Sequence, residues 1–149
     1  MEKETNNEKI AIIRVRGITG IKHDISKTLK QMLLHKKNFC VVVPKNKFYL
    51  GMIQKIKDYV TWGEVDEKVY NSLVEKKGEV YTRRLSDRQG KIKYNRFIEV
   101  SGRKIKKYFR LNSPKKGFGR KGIKVSFVKG GGLGYRKDKI NELIGRMNY

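Results

Sequence analysis

Short continuous apolar runs punctuate the first half of the chain. They lie at Ile10 to Val15, Phe39 to Val43 and Tyr59 to Val65, and each is rich in β-branched or aromatic residues. Runs of this length and composition are typical of buried strands, particularly where Gly or Pro follows. The pattern therefore predicts three strands.

The segments after these runs instead place apolar residues at helical spacing. The three stripes are Ile25, Leu29, Met32 and Leu33; Tyr49, Met52, Ile53 and Ile56; and Val69, Tyr70, Leu73 and Val74. Each segment starts at a residue able to cap a helix, and these are Asp24, Asn46 and Asp66. Strands that alternate with amphipathic helices predict an α+β fold, with one small β-α-β-α-β core sheet at residues 10–78 and helices on one face.

After residue 78 the pattern changes to short, basic, strand-like runs. These are Val80 to Leu85, Lys91 to Val100 and Lys104 to Leu111, with turns predicted at 87–90 and 101–102. They predict a hairpin or a three-strand meander. The alternative is an extended arm that becomes ordered only on its partner.

The last part of the chain combines a Gly-rich basic stretch with an amphipathic end. A strand is predicted at Ile123 to Val128, and a helix after Asp138 whose stripe is Ile140, Leu143, Ile144 and Met147. We expect this helix to dock on the core. The chain is thus divided into a flexible start at residues 1–9, the core at 10–78, a basic extension at 79–136, and the docking helix at 137–149.

Charge distinguishes the extension from the core. The net charge of the chain is +23, and residues 76–129 alone hold 19 Lys and Arg against 3 Asp and Glu. Aromatic residues and glycines are interleaved with these cations, and the glycines allow the backbone to approach another surface closely. A chain this basic usually binds a polyanion, most often nucleic acid.

The candidate RNA-binding residues follow from this pattern. The candidates for phosphate contacts are Arg83, Arg84, Arg88, Lys106, Lys107, Arg110, Lys115, Lys116, Arg120, Lys121, Lys124, Lys129 and Arg136. The candidates for stacking on bases are Tyr108, Phe118 and Tyr135.

Other chemistry finds little support in the residues. The sequence predicts no catalytic set, no metal site and no cofactor, and the GFGRKG stretch lacks the preceding strand that a dinucleotide fingerprint needs. The single cysteine, Cys40, lies in an apolar run and is expected to be buried. No apolar run is long enough for a membrane helix, and the polar start is unlike a signal peptide, so we expect a cytoplasmic protein with no membrane partner.

Four stretches together resemble a known family. They are IAIIRVRG near the start, GMIQKIKDYVTWGEVD, FRLNSPKKG, and GGGLGYRKDKINELIGRMN near the end. They resemble ribosomal protein L-thirty of the large subunit, in its archaeal and eukaryotic form, which is called L-seven in eukaryotes. The resemblance covers the first seventy or so residues and the last forty, and departs from the family between Glu79 and Tyr108, where many members carry a longer, partly helical insert.

The resemblance implies a ferredoxin-like core, no enzymatic activity, and a structural role in the large ribosomal subunit. It also implies binding to ribosomal RNA in the neighbourhood of 5S rRNA, beside other large-subunit proteins. Contacts of the family's insert are not carried over to this chain. The alternatives are a non-ribosomal RNA-binding or RNA-processing protein, or a basic protein that compacts DNA.

Overall fold

The computed structural model describes residues 8–93 and 96–149. The flexible start was predicted for residues 1–9, and residues 1–7 of this segment lie outside the described residues. Within the described residues the elements follow one another as β1 Lys9–Arg14, α1 His23–Gln31, β2 Phe39–Pro44, α2 Lys47–Ile56, β3 Val60–Val65, α3 Glu67–Lys77, β4 Phe97–Val100, β5 Arg103–Lys106, β6 Tyr108–Arg110, β7 Gly134–Tyr135 and α4 Ile140–Met147.

The predicted strands of the first half form the centre of the main sheet. The strand order is β6-β2-β1-β3-β7 in the described part of the chain. β1 pairs antiparallel with both β2 and β3, β6 pairs antiparallel with β2, and β7 adds in parallel to β3. The α+β class and the core sheet are confirmed, and the extension contributes both edge strands.

Helices cover both faces of this sheet, so the expectation of helices on one face is wrong. Side chains alternate along β1: Ile10 and Ile12 pack with α1 and α2, whereas Ala11 and Ile13 pack with α3 and α4. The physical reason is that β1 and β2 carry apolar side chains on both faces, at Ile10 to Ile13 and at Phe39 to Val43, and so need cover on both sides. The continuous apolar runs already carried this information.

Helix boundaries depend on local contacts that differ among the three predicted caps. The Asn46 side chain accepts a hydrogen bond from the backbone N–H of Tyr49 at 2.9 Å, as an N-cap should. Asp66 stands at the N-cap of α3 without such a bond, and Asp24 lies inside the first turn of α1 because the helix begins at His23. At the other end of α1, Leu33 has a φ of 63°, and the chain turns there so that Leu34 becomes fully buried.

The basic strands after residue 78 are shorter than predicted. Val80 to Leu85 is not a strand, since only Val80 pairs with Ile105, and Tyr81 donates to Lys104 O. β5 is only four residues long and already pairs with β4 along one edge. Its remaining edge therefore offers few backbone groups with which a third strand could pair. Within Lys91 to Val100 the strand is β4, and residues 94–95 lie outside the described residues. A tight turn at residues 101–102 joins β4 to β5, as predicted.

The predicted run from Lys104 to Leu111 is two strands that belong to different sheets. Ile105 in β5 and Phe109 in β6 are both buried in the same apolar cluster, but β5 pairs with β4 and β6 with β2. The chain therefore changes direction at Lys107. Similarly, the strand predicted at 123–128 is wrong: only Ser126 pairs, with Leu133, because the chain turns back at Gly130 within a few residues.

The C-terminal helix α4 packs on the face of the sheet that also holds α3. All four residues of the predicted stripe are fully buried there. The close approach depends on Gly63 in β3: a Cβ at this position would overlap the carbonyl oxygen of Lys137 and lie 2.9 Å from Ile140 Cβ. Those atoms are backbone and a β-branched side chain, neither of which can move aside easily.

Replacing Gly63 with Ala is therefore expected to push α4 off the sheet and to lower the free energy of unfolding by about 1–3 kcal/mol, the usual cost of overpacking. Chemical denaturation followed by circular dichroism measures this change. Gly17→Ala is the control, because a Cβ there meets nothing within 4 Å. Equal stability of G63A and the wild-type protein would contradict the tight contact between β3 and α4.

Candidate nucleic-acid interface

A buried arginine attaches the Gly-rich part of the extension to the sheet. Arg136 is only 3% exposed, and its guanidinium donates to Thr61 Oγ1 at 2.8 Å, to Phe118 O at 2.7 Å and to Gly132 O at 3.2 Å. Burial lowers the pKa of Arg136 to about 10, which leaves it charged at neutral pH. This residue was predicted as a phosphate contact, but its side chain is buried and donates from Nε and one Nη inside the protein, so the fold does not present it at the surface.

A second arginine holds the other end of the same segment. Arg146 in α4 donates from one nitrogen to Lys115 O at 3.0 Å and to Gly117 O at 2.7 Å. Phe118, a predicted stacking residue, packs partly buried against the apolar cluster below α4. Residues 113–133, which we call the basic loop, are thus ordered by contacts with the folded core.

The backbone carbonyls of the basic loop that bind Arg136 and Arg146 face the core, and the cationic side chains of the loop lie on its outer, solvent-exposed side. Six of the predicted phosphate contacts are exposed along it, and they are Lys115, Lys116, Arg120, Lys121, Lys124 and Lys129. No Asp or Glu occurs between Glu99 and Asp138, so the segment itself supplies no counter-charge. Lys115 lies 4.7 Å from the centre of the Tyr149 ring, and this cation–π contact supplies no negative counter-charge.

Glu79 organises the other basic part of the extension. Its carboxylate pairs with Lys106 at 2.9 Å and with Arg110 at 2.5 Å, and so joins β5 to β6. The hydrogen bond from Lys106 holds the pKa of Glu79 below its ordinary value, and partial burial opposes this shift. Two predicted phosphate contacts therefore share an internal partner, although the Arg110 side chain remains 61% exposed.

The remaining predicted phosphate contacts differ in how far their side chains are exposed to solvent. Arg83, Arg84 and Arg88 are exposed on the segment between α3 and β4, whereas Lys107 is half-buried at the turn between β5 and β6. Residues 80–93 and 96–106 form a small hairpin lobe with an aromatic contact between Tyr81 and Phe97 at 5.4 Å. This lobe and the basic loop present separate groups of cations.

The two predicted tyrosines are already engaged in ring contacts. Tyr108 stacks on Phe39 with ring centres 5.2 Å apart and planes 5° from parallel, so one face of its ring is covered. Tyr135 is 40% exposed and stacks on Trp62 at 6.1 Å, and its hydroxyl donates to Glu64. Burial, with the bond to Glu64, raises the pKa of Tyr135 to about 12.

Three residues with a clear organising role were not predicted from the sequence, and two of them carry no local signal. Arg14 is 4% exposed and donates to the carbonyls of Leu34, Arg16 and Gly17, and nothing local distinguishes it from a surface cation. Arg146 is equally inconspicuous within an amphipathic helix. Glu79 did carry a hint, since it is one of only three acidic residues among the 19 cations of 76–129.

The remaining features concern metal ligands, membrane spans and the single cysteine. The residues 8–93 and 96–149 contain no group of three or more His, Cys, Asp or Glu side chains that could hold a metal ion. In the same ranges, no helix combines the length and apolar character that a membrane span requires. Cys40 is fully buried, as predicted, and burial raises the pKa of its thiol to about 12, so it is an unreactive core residue.

Replacing Arg136 with Met is expected to lower the free energy of unfolding by about 2–4 kcal/mol, because buried acceptors lose their donors. Chemical denaturation measures the loss, and amide hydrogen exchange at residues 131–133 is expected to accelerate with it. Lys124→Met on the exposed side of the basic loop is the control and should leave both unchanged. Wild-type stability in R136M would contradict an anchoring role.

The ion pairs of Glu79 predict an acid-dependent loss of stability. Because the folded-state pKa of Glu79 is depressed, its contribution is present above the ordinary value of 4.5 and is lost as pH falls through the lower folded value. Unfolding measured between about pH 6 and pH 3 should therefore be less pH-dependent in Glu79→Gln than in the wild-type protein. Glu75→Gln, on the exposed side of α3, should retain the wild-type profile, and identical profiles for all three proteins would refute the assignment.

Comparison with known proteins agrees with this architecture. Residues 10–60 match the family described as Ribosomal protein L30p/L7e. The "Large ribosomal subunit protein uL30" of Nanoarchaeum equitans is 46% identical over 147 residues, which cover 90% of this chain and 95% of that protein. The proteins of the same name from Methanococcus vannielii and Methanopyrus kandleri are 42% and 37% identical, over 92% and 89% of this chain and 97% and 99% of their own lengths.

These matches extend well beyond the core. Only about a tenth of the chain is left out of each, so most of the extension at 79–136 lies within the matched length. The similarity thus includes the basic loop region and the sheet that carries it. The chain therefore belongs to the Ribosomal protein L30p/L7e family, a structural, non-enzymatic family of cytoplasmic ribosomal proteins.

Proposed function

We propose that this protein is a structural constituent of the large ribosomal subunit that binds ribosomal RNA through the extension at residues 79–136. The observation that carries the proposal is the basic loop, where six exposed cations stand without an acidic residue in the segment. A polyanion is the partner that such a surface fits. The names of its relatives in the large ribosomal subunit support the choice of ribosomal RNA.

In the proposed mechanism, one part of the protein fixes its orientation on the RNA and another part neutralises the phosphate charge. The sheet and its four helices hold the extension in place, and the basic loop and hairpin lobe follow the RNA backbone. Because Arg136 and Arg146 already bind the loop carbonyls, little conformational entropy is lost when the loop meets RNA. Phosphate contacts of this kind fix the position of a protein on RNA without reading its sequence.

The neighbourhood of 5S rRNA and contacts with adjacent large-subunit proteins are the finer part of the proposal. They rest on the family resemblance, together with the exposed arginines of the hairpin lobe, which give the protein a second basic surface. Crosslinking of assembled subunits tests this placement. Crosslinks from the extension to the large rRNA alone, with none to 5S rRNA, would argue against it.

Binding of the purified protein to large-subunit rRNA is expected to fall steeply with salt. If about eight phosphates are neutralised, the affinity should drop by about a thousandfold or more between 50 and 200 mM salt. Filter binding or fluorescence anisotropy over a salt series measures the slope. A flat response would rule out the backbone-neutralising mechanism.

A pair of matched variants assigns this slope to the basic loop. Lys124→Ala with Lys129→Ala is expected to reduce the slope of log affinity against log salt by about 1.5, because two phosphate contacts are lost. Lys68→Ala with Lys76→Ala removes two exposed lysines from α3 and should change the slope much less. Equal effects of the two pairs would show that net charge, rather than the loop, determines binding.

A further inference from the structure

The outer face of α2 departs from the composition of an ordinary solvent-facing helix surface. Phe48 is 70% exposed, and Gly51 and Lys55 follow it at spacings of three and seven residues, so the three lie on one side of the helix. The buried side of α2 is formed instead by Ile53 and Ile56. A large exposed aromatic residue one turn before an exposed glycine is unexplained by packing within the protein.

Gly51 has no structural requirement within the described residues. A Cβ at this position meets nothing within 4 Å, and its φ is not in the left-handed region. Alanine is a much better helix former than glycine, so the free protein would gain stability from a side chain here. The glycine leaves a shallow notch between Phe48 and Lys55, and such a notch suits the close approach of another molecule.

The charge around the notch indicates what kind of molecule fits. α2 contains Lys47 and Lys55 and no acidic residue, and Asp58, an exposed acid three residues after Lys55, is preceded by the exposed Lys57. Helix α1, which packs beside α2, adds Lys27 and Lys30 against the single acid Asp24. Near the start of α2, Glu8 and Glu64 are both engaged by Lys45, at 3.1 and 3.2 Å. The face is therefore aromatic and cationic, which is the combination that binds a nucleotide through its base and its phosphate.

We propose that the Phe48–Gly51–Lys55 face binds a second segment of ribosomal RNA. Phe48 stacks on an unpaired base, the sugar-phosphate backbone lies in the notch at Gly51, and Lys55 pairs with a phosphate. The edge of Tyr49 packs against the Phe48 ring at 5.5 Å and holds it in position. This inference rests on the proposed function and extends it to the opposite side of the sheet.

The two RNA-facing surfaces lie on opposite sides of the molecule. α2 packs on one face of the sheet, whereas the basic loop attaches through Phe118 to the apolar cluster on the other face. A protein with both surfaces bridges two RNA segments, with the thickness of the fold between them. Bridging explains why a +23 chain would carry a well-packed core in addition to a cationic arm.

Gly51→Ala separates this proposal from any structural role of the glycine. The variant is expected to raise the melting temperature by roughly 3 °C and yet to weaken binding to large-subunit rRNA. Gly51→Gln should weaken binding further. The matched control is Gly145→Ala in α4, an exposed helix glycine that also has nothing within 4 Å of a Cβ and has the acidic Glu142 on its side of the helix. It should stabilise the protein equally and leave RNA affinity unchanged.

Phe48→Ala completes the test and is expected to reduce RNA affinity by about tenfold, the effect of losing one stacked base. If wild-type protein binds with a steep salt slope but F48A and G51A bind equally well, this proposal is overturned and the proposed function stands. If those variants bind RNA normally but enter large subunits poorly, a neighbouring protein occupies the face, and the proposal is again wrong. If wild-type protein fails to bind rRNA, the proposed function itself fails.

Discussion

The guanidinium of Arg136 connects the parts of this protein that would otherwise separate. It reaches Thr61 in β3 of the sheet, and Phe118 and Gly132 within the basic loop. A charge this deeply buried is tolerated because its donors meet oxygen acceptors. The Gly-rich segment contains too few apolar residues to pack by itself, so this contact and that of Arg146 give it a defined path.

Charge repulsion is the constraint that this arrangement has to satisfy. A +23 chain destabilises its own compact state, and within the described residues three of its acidic side chains form ion pairs where elements meet. Glu79 joins β5 to β6, and Glu8 and Glu64 meet Lys45 beside the central strands. Most other cations of the extension, such as those of the basic loop, face solvent, and binding of a polyanion would relieve the repulsion that remains.

The core was predictable from the sequence to a greater extent than the site. Apolar runs and helical stripes located β1, β2, β3 and the four helices, and Asn46 was a recognisable cap. The lengths of the strands after residue 78 were overestimated, because a β-like composition does not show whether a pairing partner is within reach. Arg136 was misassigned for a related reason: in sequence it resembles Lys124, and only the fold places one inside and the other outside.

Sequence alone determined the secondary structure of the core, the basic character of the extension and the family resemblance. These depend on local periodicity and on composition, which any stretch of chain carries with it. The tertiary structure decided which cations are available, which aromatic rings are covered and which sheet each short strand joins. Such outcomes depend on contacts between residues far apart in the chain, like that of Thr61 with Arg136 across 75 positions, and no local pattern encodes them.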